Sequence, residues 1–167
     1  MAKQGRGSAS ASTPATVALS AQGIPFVARS YEHDPAETDF GREAAEALGV
    51  APDRVFKTLL VEVDGVLAVG IVPVEGLLDL KAIASALGGK RAQMADPAVA
   101  ERKTGYVVGG ISPIGQRTRL RTVLDASAQR HDTVLVSGGR RGFDIELAPA
   151  DLLRATEAEL AEIARQK

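Results

Sequence analysis

The chain has 167 residues, 45% of them hydrophobic, with a formal net charge of −1, which is enough for one domain with a real core and cramped for two. It holds no cysteine and two histidines, His33 and His131; disulfides, a thiol nucleophile and cysteine–zinc sites are excluded, and a structural zinc has too few ligands. No apolar run approaches the roughly 18–20 residues that span a bilayer, and the N-terminus has no apolar signal core, so the expectation is a cytoplasmic protein with no membrane partner.

Residues 1 to 12 (MAKQGRGSASAS) are small and polar and read as a disordered tail, leaving 13–167 as a single domain. Thr13 as N-cap, Pro14 at the first helical position and Gly23 beyond the end frame a helix over 14–22. Pro25 to His33 alternates as a strand. Asp39 caps a second helix from Phe40 to Leu48, which Gly49 ends. VFKTLLV at 55–61 is a strand, Asp64-Gly65 is a hairpin turn, and LAVGIVPV, apolar on both faces, is a central strand with Pro73 at its end. Leu77, Leu80, Ile83, Ala84 and Leu87 have helical spacing up to Gly88-Gly89. A short strand KRAQMA follows, then a helix opened by Asp96-Pro97 and ending near Thr104-Gly105. YVVGGISPIG is expected to run as a strand into a glycine-rich loop. Three more strands are expected at 119–125, 133–137 and 143–147, with SGGRRG turning between the last two. In the final one Phe143, Ile145 and Leu147 share a face, and Asp144 and Glu146 share the other. Helices over 149–155 and 157–166 close the chain, the second with a capping box at Thr156. Hairpin-linked strands dominate, which predicts an α+β fold with a mixed, mainly antiparallel, barrel-like sheet flanked by helices.

Lys57 is the one charge on the row Val55, Leu59, Val61, Val63 of its strand. Facing the core, its ammonium would be disfavoured by desolvation unless it borders a cleft or meets an anion; near the strand start it can also snorkel to water. Charge is uneven along the chain. Between 32 and 53 seven acids stand against Arg42, and between 90 and 141 ten bases stand against four acids. One side could engage a polyanion, or the charges could simply be solvated. Gly110 to Gly115 has the frame of a phosphate-binding loop, but Gln116 and Arg117 stand where lysine and Ser/Thr are required, which argues against a nucleotide hydrolase. Gly109 and Gly110 still offer bare main chain to a ligand, or make a tight turn. SGGRRG can cradle an anion or be a plain hairpin. His33, among Glu32, Asp34 and Glu37, reads as part of a solvated loop. No serine sits in a G-x-S-x-G elbow.

Taken together, TP at 13–14, YEHDPAE at 31–37, FG at 40–41, KTLL at 57–60, LDLK at 78–81, MADP at 94–97, TGY at 104–106, VGGISPIGQ at 108–116, VSGGRRG at 136–142 and DIEL at 144–147 resemble the YbaK-type Cys-tRNA(Pro) deacylases. These are free-standing relatives of the editing domain inserted in bacterial prolyl-tRNA synthetases. The resemblance implies hydrolysis of the ester between cysteine and tRNA(Pro), with no cofactor and with prolyl-tRNA synthetase as a transient partner. It implies an essential Lys57, and backbone contacts to the aminoacyl end and terminal adenosine from Gly109, Gly110, Ile111, Ser112 and Pro113. It places Tyr31, Phe40, Thr58, Ser137, Gly138 and Asp144 in the pocket, and has the substrate's own thiol attack the ester carbonyl. The alternatives are hydrolysis of Ala-tRNA(Pro) or a broader set of aminoacyl-tRNAs, and a non-catalytic module that binds tRNA or the synthetase.

Overall fold

A computed structural model describes residues 12–167, so the tail expected over 1–12 lies outside the described residues but for its last position. Thr13 accepts from Thr16 N and caps α1 (Pro14–Ala21), which leads to β1 (Val27–Ser30), shorter than the strand expected from Pro25. Asp39 caps α2 (Phe40–Leu48), and Gly49 ends it in the left-handed region at φ 67°, as expected from its lack of a Cβ. β2 (Phe56–Val63) and β3 (Val66–Pro73) form a hairpin; Asp64 and Gly65 both have positive φ, the geometry of a tight I′ turn. β4 (Gly76–Leu78), α3 (Leu80–Ala86), β5 (Ala92–Met94) and α4 (Pro97–Thr104) follow. Leu77 therefore belongs to a strand rather than to the helix predicted from its spacing.

Next come β6 (Arg121–Asp125), a short 3-10 helix (Ala126–Arg130), β7 (Val134–Arg140), β8 (Phe143–Leu147) and α5 (Pro149–Thr156). The helix expected over 157–166 is instead β9 (Glu159–Ala161) and β10 (Ala164–Gln166). Glu157 turns left-handed at φ 57° and stops α5. Beyond it, Ile163 N and Ala164 N donate to Asp125 Oδ1 at 2.9 and 3.0 Å. That carboxylate also takes Ser127 N and Ser127 Oγ, so a residue 38 positions away supplies the partners that helical turns would otherwise provide. The carboxylate is buried and fully used. Asp125→Ala would strand two buried amide donors and is expected to lower stability by about 2–5 kcal/mol, read as a reduced denaturation midpoint.

The largest sheet has the order β5-β2-β3-β6-β9, antiparallel across β5, β2 and β3 and parallel from β3 through β6 to β9. A second antiparallel sheet, β1-β8-β7, is joined to it by a parallel bridge between Val55 and Leu135, and β4 pairs with β10. The sheets do not close into a barrel, so the barrel-like expectation is corrected to an open α+β arrangement, mainly antiparallel with flanking helices. β3 is central, as its two apolar faces imply. Phe56, Leu60, Val69 and Ile71 pack against Val136, Phe143 and Ile145 of the second sheet. The opposite face of the large sheet buries Val61, Val63, Val72 and Val123 against Ile83 and Ile163. In β8, Phe143, Ile145 and Leu147 share one face as predicted and pack into the first of these two clusters, and each full burial of such a side chain is worth about 1.5–3 kcal/mol.

Candidate active site

The site grows out of one uncovered strand edge. Val74 N donates to Val55 O, so in the β2–β3 register the alternation of antiparallel bonding points the main chain of Lys57 and Leu59 at β3. The main-chain groups of Phe56, Thr58 and Leu60 turn to the other edge. There Ala95 N donates to Leu60 O and β5 covers β2 from Val61 onward. The next position that would reach Thr58 is Pro97, which has no N–H. The edge at Thr58 is left open, and a cavity of about 320 Å³ lies against it, within the range of small-ligand sites.

Lys57, Thr58, Tyr31, Phe40, Gly109, Ile111, Ser137 and Asp144 all line this cavity. The Lys57 amine is half-buried. Its pKa is lowered, by burial first and by the cation of Lys167 second, against the opposing pull of Asp39. Asp39 also lines the cavity; sequence reading gave it only its helix-capping duty. The Thr58 hydroxyl oxygen is buried without a hydrogen-bond partner among the described residues. A buried polar group of that kind usually has a partner, and here the open space beside it is the cavity.

Asp144 sits opposite Ser137 on β7 and Arg29 on β1. It is buried, and burial pushes its carboxyl from 3.8 up to about 7, with Arg29 pulling the other way. That guanidinium is committed elsewhere: Arg29 and Arg54 both pair with Glu146, which also accepts from Thr133 Oγ1. Burial, then the charges of Asp144 and Glu43, push the Tyr31 phenol to about 12, so it stays neutral at physiological pH. Ser137 Oγ accepts from Gly139 N, and no histidine lines the cavity to activate that hydroxyl.

The glycine-rich segment is an irregular turn rather than the strand expected from YVVGG. Val108 N donates to Glu101 Oε2 at 2.8 Å, Gly110 N donates to Val107 O at 2.8 Å, and Gly109 adopts φ 91°. These bonds turn the Val-Val-Gly-Gly main chain away from any sheet ladder. Gly109 and Ile111 reach the cavity, whereas Gly110, Ser112 and Pro113 do not line it. A Cβ on Gly110 would lie 2.6 Å from Arg140 Cα, so this glycine allows the β7–β8 hairpin to press against the turn. Ser112 is fully buried, and its Oγ accepts from Ile114 N. Gly138 is packed on Phe143, and its carbonyl accepts from Thr13 Oγ1. Pro113 lines a separate depression with Ala18 and Gln22, so these four residues pack the surrounding structure and do not face the cavity.

Arg141, in the segment that sequence reading left as an anion cradle or a plain hairpin, packs against two residues of the cavity wall, Phe40 and Val108. Its guanidinium lies 4.8 Å from the Phe40 ring centroid, and its Nε and Nη2 donate to Val108 O at 2.9 and 2.6 Å. It thereby ties α2, the Gly109 turn and the β7–β8 hairpin together. His33 is not solvated as expected: Nδ1 is 2.7 Å from Glu43 Oε1, and the ring lies 5.8 Å from Phe40, bracing the same aromatic. Among the described residues no group of three or more His, Cys, Asp or Glu is placed to hold a metal ion.

The family model for the aminoacyl-tRNA editing domain matches residues 34–155, a span that holds most of the cavity. The chain belongs to that family. It is 38% identical over 142 residues to a Cys-tRNA(Pro)/Cys-tRNA(Cys) deacylase, EbsC, of Enterococcus faecalis (strain ATCC 700802 / V583), an alignment covering 84% of this chain and 85% of the relative. It is 33% identical over 128 residues to the multifunctional Ser/Thr-tRNA deacylase ProXp-y of Escherichia coli (strain K12), covering 72% and 75%. A solved structure described as a trans-editing enzyme for prolyl tRNA synthetase superposes with a TM-score of 0.80 at 26% identity, covering 91% of this chain and 95% of that one. The fold is therefore the YbaK-type editing fold. No helix among the described residues is long and apolar enough to cross a membrane.

Proposed function

We propose that this editing-family protein is a trans-acting aminoacyl-tRNA deacylase that hydrolyses the ester of mischarged Cys-tRNA(Pro) in the cytoplasm, with residues 13–167 acting as one domain. The observation that carries the reading is the cavity itself: a half-buried amine at Lys57 and an unpartnered hydroxyl at Thr58 stand beside uncovered main chain, in a chain with no cysteine of its own. Such a place works by orientation and charge.

In this reading Tyr31, Phe40 and Ile111 enclose the aminoacyl group, Asp144 receives its α-ammonium, and Gly109 lets the terminal ribose come close. The substrate thiol attacks the ester carbonyl. A carbon–sulfur bond forms, the carbon–oxygen bond to the ribose breaks, the thiol proton passes to the ribose oxygen, and water then opens the thiolactone to free cysteine. The Lys57 ammonium neutralises charge developing on the departing oxygen, and its lowered pKa makes it a readier proton donor.

A thiol-dependent step would separate cysteine from alanine better than fit, since one methylene in an apolar pocket is worth only ~1–3 kcal/mol. The Escherichia coli relative, named for Ser/Thr-tRNA, makes hydroxy amino acids the competing reading. The test is deacylation of a panel of tRNA(Pro) charged with Cys, Ser, Thr or Ala, with and without prolyl-tRNA synthetase as a transient partner. Cys-tRNA(Pro) is expected to be cleaved at least tenfold faster than Ala-tRNA(Pro). Equal rates would remove the thiol from the mechanism, and binding without turnover of any substrate would leave a tRNA-binding module.

A further inference from the structure

A ridge of basic side chains begins against the wall of the cavity, at Phe40 and Val108, and leads away from it. Arg141 stands at the start, over Phe40, and Arg140 follows with its main chain against Gly110. The 107–110 turn then rests on α4 through Glu101 and Val108. The first turn of α4 lines the cavity at Pro97 and Ala100, and its last turn carries Arg102 and Lys103. Arg117 folds back onto that end: its Nη1 donates to Arg102 O at 3.3 Å, its N to Thr104 O at 2.9 Å, and Thr118 N to Lys103 O at 3.0 Å.

Among the described residues none of Arg102, Lys103, Arg117, Arg140 and Arg141 forms an ion pair. The bases next in sequence do: Arg119 pairs with Glu157 and Arg121 with Glu159. The one acid between the two ends of the ridge, Glu101, spends an oxygen on Val108 N. Unpaired cations linked through these contacts around the 107–110 turn suit a ligand that carries charge at regular intervals.

We propose that this ridge is the track of the acceptor strand. The sugar-phosphate backbone next to the esterified 3′ end leaves the cavity past Arg141, crosses the 107–110 turn and reaches Arg102, Lys103 and Arg117. The inference rests on the cavity being the aminoacyl site. The eight residues of α4 rise about 12 Å, the length of about three to four nucleotides of one strand at roughly 3.4 Å each. Val107, 52% exposed at the crest, gives a base an apolar surface to lie on. A protein partner would call for an apolar centre depleted of charge, and the ridge has the opposite composition.

The test is the triple variant R102Q/K103Q/R117Q, whose positions are outside the cavity. On full-length Cys-tRNA(Pro) its KM is expected to rise tenfold or more with kcat unchanged. The slope of log kcat/KM against log salt should flatten by about 2–3, at roughly 0.7–0.9 per lost phosphate contact. On the 3′-cysteinyl ester of adenosine alone, which carries no phosphate to lay along the ridge, wild type and variant should agree within twofold. Equal losses on both substrates, or no loss on the tRNA, would overturn the ridge, as would a loss seen only when the synthetase is added, which would make it a protein-docking face. Binding of uncharged tRNA(Pro), followed by fluorescence anisotropy across a salt series, reads the same contacts without chemistry. A retained affinity in the variant overturns the ridge, whereas salt-dependent binding by wild type that the variant loses, with no hydrolysis by either, supports the ridge and counts against the cavity reading alone.

Discussion

Lys57→Ala is expected to slow the deacylation step about 10²–10³-fold while leaving the melting curve of the protein within a few degrees of wild type. The size follows from the value of a single well-aimed donor in a water-poor site, about 2.7–4 kcal/mol. The selectivity of the effect follows from where the residue sits. Lys57 is half-buried on β2, which is held by its own fully buried Val61 and by Val69 and Ile71 of the paired β3, so truncating its stem costs the core little. Lys57→Met keeps the stem without the charge and should be as slow as alanine. Lys57→Arg restores charge but replaces a compact ammonium by a planar fork in a cavity of about 320 Å³, and should recover less than a tenth of the activity. The amine is held below its ordinary pKa, so the wild-type rate should fall at a pH lower than 10.5 as the amine loses its proton. Single-turnover release of cysteine from Cys-tRNA(Pro) measures each of these. A Lys57→Ala rate within threefold of wild type would take the amine out of the mechanism.

What the sequence disclosed and what it hid divide along the reach of the interactions. Asp39 and Gly49 define α2 within ten residues of chain, and the Asp64-Gly65 turn sets the β2–β3 register by itself; signals that local survive into the fold. LAEIAR at the end of the chain has helical spacing too, yet it becomes two short strands, because Asp125 and the edges of β6 and β4 satisfy its main chain from far away in sequence. The Val-Val-Gly-Gly stretch reads as strand, and Glu101 one helix earlier decides otherwise.

In the site the same division holds. Lys57 was legible as a lone charge on an apolar row, whereas Asp144 entered only through family likeness, because alternation merely set it with Glu146 on the face away from Phe143, Ile145 and Leu147. Family likeness pointed to Gly110, Ser112, Pro113 and Gly138 as well, but motif membership does not separate a residue that touches the cavity from one that packs elsewhere, and these four do not line it. For Arg141 the sequence left an anion cradle and a plain hairpin open, and its packing on Phe40 and Val108 O depends on partners distant in the chain.

Asp144→Asn is expected to make the protein more stable and less active at once. The carboxyl of Asp144 titrates near 7 in the folded chain because it is buried, against an ordinary 3.8. Between those two values the folded state holds more protons than the unfolded state, so stability falls as pH rises from about 4 to about 7 and is level above that. At about 1.4 kcal/mol per unit, the full excursion is on the order of 4 kcal/mol. Asparagine has no proton to lose, so the variant should show no such slope and should exceed wild type at pH 8 in urea denaturation; parallel pH profiles for the two would show that burial does not strain this carboxylate. A fold keeps an ionisable group under that strain where a ligand relieves it. Here the relief would come from the α-ammonium of the aminoacyl group, since Arg29 is engaged by Glu146 and Ser137 is taken up by Gly139 N. The Asn variant loses that charge partner and should show kcat/KM reduced at least tenfold, mainly through KM. Asp144→Ala should lose activity likewise but without the gain in stability, because it removes a buried side chain from the cavity wall. A variant that gains stability with unchanged KM would mean that the α-ammonium binds elsewhere and that Asp144 serves only to keep the floor of the cavity polar.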